Sequence, residues 1–298
     1  MSIIVSISCI TYNHAPFIRK CLDGFLMQKT TFPIEVIIHD DCSTDGTKEI
    51  IEEYAAKYPD MIFPMFQTEN QYSKGVRGMM TRFNFPRCRG KYIALCDGDD
   101  YWTDPYKLQK QVDFLEGNPD YIGCFHKIKI LFEGSLAEDK GIEQRFEKVE
   151  DKNRITRLDL LEQGNFIHTC SFIFRNEPIV LSNEMMISPV GDFLLFLELA
   201  KIGSLKRIDE YMAVYRRGTG TYSSLSIVEM CKKKLQYHMC ILSSLTDEVE
   251  RKLFLKISLD LIEVYEKMII LEGKSVVRKK IDSIKILIYN FSRKIYRK

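Results

Sequence analysis

Lys91-Tyr92-Ile93-Ala94-Leu95-Cys96-Asp97-Gly98-Asp99-Asp100 is the stretch that decides how this 298-residue chain is read. Tyr92 to Cys96 has the length and apolar character of a buried strand. It runs directly into three aspartates set around one glycine. Gly98 permits an unusual backbone angle or the close approach of a ligand, so Asp97 and Asp99 can converge. Paired carboxylate oxygens suit Mg²⁺ or Mn²⁺, and few protein ligands are needed where phosphate oxygens complete the shell. A nucleotide diphosphate fits that role; the plain alternative is an acidic surface turn.

Working back towards the start, the same grammar repeats. Ile3 to Ile10 is apolar and rich in β-branched residues, as a buried strand requires, and it stops at Thr11-Tyr12-Asn13. Pro16 suits a first helical turn, and Phe17, Ile18, Cys21, Leu22, Phe25 and Leu26 follow at helical spacing. Ile34 to His39 is a second strand ending in Asp40-Asp41. Ser43 to Thr47 then offers capping oxygens and first-turn acid to a helix carrying Ile50, Ile51, Tyr54 and Ala55. Met61 to Gln67 reads as strand and Val76 to Asn84 as a short helix ended before Pro86.

Strands alternating with helices predict an α/β fold with a largely parallel sheet, whose ligands sit outside the carboxyl ends of the strands. Three such ends carry polar or acidic clusters, at Thr11 to Asn13, Asp40-Asp41 and Asp97 to Asp100. Local propensity does not require that coincidence, so it implies a site.

Towards the carboxyl end, Asp104-Pro105 starts a helix through Leu108, Val112 and Leu115, and Tyr121 to Leu131 is strand-like. Glu133 to Arg154 is charged and lacks apolar periodicity, which predicts an excursion or mobile loop. A strand over Ile167 to Phe174, a helix over Asp192 to Lys201 and a strand over Leu205 to Tyr215 follow. Beyond Ser226 the pattern is of two or three amphipathic helices. The expected division is a domain over 1–225 that carries the strand-end clusters and a C-terminal helical extension over 226–298.

Composition narrows the class. At 45% hydrophobic and 28% charged the chain is not disordered, and its length buries a core without staples. Nine cysteines without a CxxC pair argue against a disulfide framework or a structural zinc site, and for a reducing compartment. The amino-terminal residues lack a basic segment ahead of an apolar one, and no apolar run approaches the ~18 residues of a membrane span. The expectation is a soluble, cytoplasmic protein. Net charge is +2, yet Met268 to Lys298 holds nine Lys/Arg against Glu272 and Asp282.

Three stretches taken together resemble the family-2 glycosyltransferases of the GT-A fold: Val5 to Asn13, Glu35 to Thr47 and Lys91 to Asp100. The resemblance extends over roughly residues 3 to 225. It implies a GT-A, Rossmann-like mixed sheet flanked by helices, a nucleotide-sugar donor and a divalent cation, Mn²⁺ or Mg²⁺. It also implies that Tyr12, with Ile10, Thr11 and Asn13, meets the donor's base and that Asp41 accepts from a pyrimidine ring N–H. Asp40 is a donor-side candidate whose bland role is a loop hydrogen bond. Asp97 would meet the ribose or the metal shell, and Asp99 would hold the metal. Asp100 is structural. Trp102, the only tryptophan, could stack on an acceptor sugar or belong to the core.

Glycosyl transfer also needs a base for the acceptor hydroxyl. Val190-Gly191-Asp192-Phe193-Leu194-Leu195-Phe196 is similar to the family's ED-type motif with glycine in place of glutamate, and names Asp192. An aspartate before an apolar helix is also a standard cap. Tyr215-Arg216-Arg217-Gly218-Thr219 is similar to the family's YR segment but lacks the histidine that often follows. That leaves Arg216 and Arg217 as diphosphate contacts and the metal shell open.

None of the five histidines is assigned a catalytic role. Ile269 to Tyr296 is compatible with a basic amphipathic helix on an anionic membrane surface, or with a helical cap on the domain. Nucleic acid is not expected as a partner. The leading reading is an inverting transfer of sugar from a UDP-sugar to a glycan or lipid-linked acceptor in surface polysaccharide or lipopolysaccharide assembly. A metal-dependent nucleotidyltransferase would need a glycine-rich basic loop, which is missing. A non-catalytic sugar-nucleotide or glycan-binding module is the third alternative.

Overall fold

The computed structural model describes residues 2–178, 183–218 and 226–271. Its first half follows the alternation in the sequence: β1 (Val5–Thr11), α1 (Ala15–Leu26), β2 (Ile34–Asp40), α2 (Thr47–Lys57), β3 (Ile62–Phe66) and β4 (Tyr92–Asp97). These four strands lie side by side in the order β3-β2-β1-β4, all parallel. Because β2 and β4 flank β1 on opposite sides, the sheet has its switch point at β1, where a crevice opens beyond the strand ends. The register sets Ile10 beside both Asp97 and His39, and Thr11 beside Asp40.

The remaining strands extend the sheet with mixed direction. Beyond β4 come β8 (Ile173–Arg175), β6 (Tyr121–Phe132), β9 (Ser204–Arg216) and β5 (Tyr101–Trp102), with β7 (Ser135–Glu138) hairpinned onto β6. β8 is antiparallel to both β4 and β6, whereas β6 and β9 run parallel. Helices α3 (Lys107–Gly117), α4 (Lys140–Phe146), α5 (Arg157–Gln163), α6 (Asn183–Ile187) and α7 (Asp192–Leu199) accompany this half, and α8 (Ile227–Ser244) and α9 (Glu248–Leu271) follow.

Two hydrophobic clusters hold the layers. One joins β1, β2 and β4 to α1 and α3 through Val5, Ile7, Ile18, Leu22, Phe25, Val36 and Leu108. The other joins α5, α7, α8 and α9 through residues such as Leu160, Phe193, Phe196, Leu235, Ile241 and Phe254. Each cluster is built from residues at strand or helical period, so their burial supplies the main driving force for these layers.

Three expectations are corrected. The charged stretch Glu133 to Arg154 forms β7 and α4, and Phe146 and Val149 bury their side chains. Its order comes from hydrogen bonding, since Asp139 caps α4 through the Gly141 and Ile142 amides, and too few apolar residues are involved to show a period. The expected strand over Ile167 to Phe174 is a 3₁₀ turn, Thr169–Ser171, followed by the three-residue β8. The helix expected before Pro86 is a π turn, Met80–Asn84, running into a 3₁₀ turn that contains the proline in its first turn. The basic tail lies outside the described residues beyond Leu271, and Thr219 does likewise.

Candidate active site

The first wall of the crevice is a set of loops that cap one another. Asn13, at a left-handed φ of 53°, donates its amide to Ser43 Oγ (2.8 Å) and accepts the Thr44 amide on Oδ1 (2.9 Å). Asparagine tolerates that backbone region better than most residues. The first amides of α1 are satisfied from the neighbouring loop: His14 donates to Thr47 Oγ1 (2.8 Å) and Ala15 to Asp45 Oδ2 (3.0 Å). Helix N-terminal donors need such partners, so the polar Ser43 to Thr47 run serves α1 as well as α2.

Asp40 accepts both the amide and the hydroxyl of Ser43. Burial pushes its carboxyl up, with the Ser43 hydrogen bonds opposing. Asp41 is buried and receives the Gln71 amide on Oδ1 (2.7 Å) and the Tyr72 amide on Oδ2 (3.0 Å). It therefore clamps the 70–72 loop over the end of β2; an ionised carboxylate retains two further lone-pair sites for a ligand. Tyr12, by contrast, is 46% exposed.

The second wall is the acidic turn. A β-carbon on Gly98 would stand 2.9 Å from Thr11 Cβ and Oγ1 and 3.0 Å from His14 Nδ1. The glycine is needed for close approach of the turn to β1 and α1. Asp97, Asp99 and Asp100 are gathered here with little solvent. Asp97 Oδ1 and Asp100 Oδ2 are buried without a hydrogen-bond partner. Burial, then the Asp99 charge, then that of Asp192 raise the Asp97 carboxyl well above its ordinary range. Asp100 is raised in the same way by burial, Asp99 and Asp97. His14 Nε2 lies 4.0 Å from Asp99 Oδ2. Desolvation holds the His14 ring below its usual pKa, with Asp99 pulling the other way.

Unneutralised buried carboxylates are costly, and an orphaned oxygen on Asp97 beside a second carboxylate is a donor set that fits a hard divalent cation. Among the described residues no group of three or more His, Cys, Asp or Glu forms a cage. Asp97 and Asp99 would therefore be two ligands of a shell otherwise made by the substrate.

The third wall comes from the second half. Asp192 is the first residue of α7; Oδ1 accepts the Phe193 amide (2.8 Å) and Oδ2 accepts from Asn165 Nδ2 (3.2 Å). Burial raises its carboxyl, with those two hydrogen bonds opposing. It keeps partial solvent contact, and its charge is felt at Asp97, 95 positions away in sequence, so an acid from α7 lies within electrostatic range of one on β4.

Arg216 and Arg217 diverge. Arg216 points inward: its amide donates to Asp100 Oδ1 (2.8 Å), its Nε to the Asp99 carbonyl (2.7 Å), and its guanidinium lies 4.6 Å from the Phe17 ring centre. Arg216 thus braces the acidic turn. Arg217 is exposed and donates to Asp139 Oδ2 (3.2 Å), on which His168 Nε2 also closes at 3.6 Å.

Trp102 is corrected from the acceptor wall to the core. It is 2% exposed, donates Nε1 to the Cys170 carbonyl (2.9 Å), and meets Phe25 edge-on at 4.8 Å. The fully buried Lys107 ammonium sits 4.0 Å from its ring centre. Antiparallel pairing of β5 with β9 turns the indole inward. Asn165 and Asp139 carry no local sequence signal of their place here, and His14, expected near the ligand loops without a catalytic role, lies against Asp99. Asn165 lies far from its partner Asp192 in sequence; His14 adjoins the Tyr12-Asn13 strand end, which was a usable signal.

A parallel switch-point crevice rimmed by these carboxylates on a mixed sheet defines the GT-A class. The family model described as Glycosyl transferase family 2 matches residues 6–179, and the chain belongs to that family. It is 40% identical over 215 residues to the uncharacterized protein Rv1520 of Mycobacterium tuberculosis, covering 72% of this chain and 58% of that protein. It is 30% identical over 222 residues to the uncharacterized glycosyltransferase alr2836 of Nostoc sp., covering 71% of this chain and 64% of that one. A shorter match, 34% over 112 residues (38% of this chain, 42% of that one), is to the putative teichuronic acid biosynthesis glycosyltransferase TuaG of Bacillus subtilis. The chain thus spans less than two-thirds of these relatives' lengths. Among solved structures, S. aureus TarS 1-349 in complex with UDP-GlcNAc shares the fold at a TM-score of 0.61 and 18% identity, over 85% of this chain and 71% of that one. Mannosyltransferase PcManGT from Pyrobaculum calidifontis, with GDP-Man and Mn²⁺, does so at 0.59 and 15%, over 100% and 88%. No described helix is long and apolar enough to cross a membrane.

Proposed function

We propose that this chain is an inverting glycosyltransferase that moves a sugar from a UDP-sugar to a glycan or lipid-linked glycan of a surface polysaccharide. The observation that supports the reading is that Asp97, at the end of β4 with Asp99 two residues beyond, feels the charge of Asp192 at the start of α7. In this reading the exposed Tyr12 ring, the Ile10–Thr11 backbone and Asn13 receive the base, with Asp41 directed at a ring N–H and Asp40 holding the loop through Ser43. TarS bound to UDP-GlcNAc supports the choice of a uridine donor, and the name of TuaG supports a surface-polymer acceptor.

A divalent cation held by Asp99 and Asp97 would supply charge neutralisation for the departing diphosphate. Arg216, fixed on the acidic turn, and Arg217, at its rim, would offer further positive charge to the same oxygens. Asp192 accepts the proton of the acceptor hydroxyl. That oxygen forms its bond to the anomeric carbon from the side opposite the nucleotide. The bond from that carbon to the diphosphate breaks, and its electron pair leaves with the nucleotide, so the configuration inverts. Burial favours Asp192 as a base by raising its carboxyl, while the Phe193 amide and Asn165 hold it in place.

The test is transfer and slow hydrolysis of UDP-GlcNAc, UDP-glucose, UDP-galactose and GDP-mannose with Mn²⁺, for the wild-type chain and for Asp192→Asn and Asp99→Asn. Turnover of a UDP-sugar that is lost in the first variant with donor binding intact supports the reading. Equal turnover in wild type and Asp192→Asn would sink it.

A further inference from the structure

We infer that Asn165 is the positioning residue of the candidate base, and that the segment carrying α4 anchors it through Arg145. The inference rests on the assignment of Asp192 made above. Asn165 Nδ2 donates to Asp192 Oδ2 at 3.2 Å. Its own Oδ1 accepts the Ile167 amide at 3.1 Å, which fixes the amide so that the NH₂ face, and not the carbonyl, is turned to the carboxylate. Its backbone carbonyl accepts from Arg145 Nη1 at 2.9 Å. Two hydrogen bonds therefore run in series from α4 to the loop after α5 and on to the first residue of α7, and a third, within the loop, orients the amide between them.

The geometry has a chemical consequence. The Phe193 amide engages Oδ1 and Asn165 engages Oδ2, so the carboxylate plane is set by two donors from different elements. A base held on both oxygens keeps the orientation of its remaining lone pairs, and fixed orientation is where much of a positioned base's advantage lies. The Phe193 donor belongs to the helix itself and is present in any such helix. Asn165 is the part that sequence can vary. Arg145 reaches Asn165 from an exposed position in a segment anchored independently by Phe146, Val149 and the Arg207–Glu143 pair (3.0 Å).

The experiment measures hydrolysis of the four donors named above with Mn²⁺ for wild type, Asn165→Ala, Asn165→Ser, Arg145→Ala and Asp192→Asn, with melting temperature and donor KM for each. Asn165→Ala is expected to lower kcat about 10- to 100-fold, the range for losing one hydrogen bond to a charged group, with donor KM and melting temperature unchanged. Asn165→Ser, which keeps a donor, should recover part of that loss, and Arg145→Ala should lower kcat by a smaller factor. If Asn165→Ala does not fold, Asn165→Ser and Arg145→Ala carry the same kcat-against-KM comparison. A kcat within twofold of wild type in Asn165→Ala, with Asp192→Asn inactive, overturns the inference and leaves the base assignment standing. So does a loss that appears as raised donor KM with lowered melting temperature. An active Asp192→Asn, or no hydrolysis of any donor by wild type, overturns the reading beneath it.

Discussion

The two halves of the sheet reach the same cleft by different routes. In the first half the candidate residues sit within a few positions of the ends of β1, β2 and β4, and in-register parallel pairing delivers them together: Ile10 beside Asp97, Thr11 beside Asp40. In the second half Asp139, the loop pair Asn165 and His168, Asp192 and Arg217 come from four separate segments joined by long-range hydrogen bonds and ion pairs. The halves share their core, since β4 gives Ile93 and Leu95 to one hydrophobic cluster and Tyr92, Ala94 and Cys96 to the other. Parallel strands converge functional groups as a by-product of backbone pairing. The mixed half has to place each side chain individually, and a single substitution there can displace a group without disturbing the sheet.

The largest expected effect probes whether the second half supplies the base. Asp192→Asn should reduce kcat by about 10²- to 10⁴-fold, the span attributed to a positioned general base. Donor affinity, measured by calorimetry with Mn²⁺, should stay within twofold, because Asp192 is not among the residues proposed to bind the donor. A matched fall in donor affinity would erase the division of labour.

Trp102 stands between the halves, on the short strand β5 that pairs with β9 and packs beneath α1. Trp102→Ala should cost about 3–5 kcal/mol of stability by cavity formation, read from the denaturant midpoint. Its acceptor KM should not change. A stable variant with a raised acceptor KM would restore the stacking role and move the boundary between the halves. Asp99→Asn should then show the first half alone at work: about 10- to 100-fold weaker Mn²⁺-dependent donor binding, as expected when a metal's coordination is impaired, and unchanged binding of the nucleotide without metal.

Much of the first half is legible in sequence because its logic is local. A β-branched run followed by Thr11-Tyr12-Asn13, Asp40-Asp41 or Asp97-Gly98-Asp99 shows both the strand and the polar end that leaves it. What Asp41 does with the Gln71 and Tyr72 amides is not legible, since the loop that meets it is separated by thirty residues of chain. Trp102 misleads for a related reason. Adjacency to the acidic turn in sequence suggests a site residue, whereas both residues of the two-residue strand are buried and the indole packs on Phe25. Glu133 to Arg154 hides its order because capping and ion pairs, including Asp139 with Arg217 and Arg207 with Glu143, leave no apolar period. Asn165 is hidden most thoroughly, as a single amide whose meaning lies in a partner on another helix.

The smallest predicted effect asks how the helical packing of the second half, around α8 and α9, responds to pH. His238 lies between α8 and α9, stacked on Phe254 at 4.9 Å and bonded through Nδ1 to Ser258 Oγ at 2.9 Å. Ser258 donates its hydroxyl to the Phe254 carbonyl (2.7 Å), so the imidazole is the donor between them and is neutral with its proton on Nδ1. Burial, and then Lys234, hold its pKa down at about 4 against an ordinary 6.5. A folded pKa below the unfolded one means that the unfolded chain binds the extra proton between those values. The contribution is therefore complete above pH 6.5 and lost as pH falls towards 4, on the order of 2 kcal/mol by pH 5. His168, held down to about 4 by burial in the same half, adds a similar slope, so the comparison is between wild type and His238→Gln. The difference in their unfolding free energies should shrink from pH 7.5 to pH 5 by that amount, since the glutamine variant has no proton to take up at this position. Parallel curves for the two proteins would mean that the imidazole already ionises in the fold and that the α8–α9 packing around it opens to water.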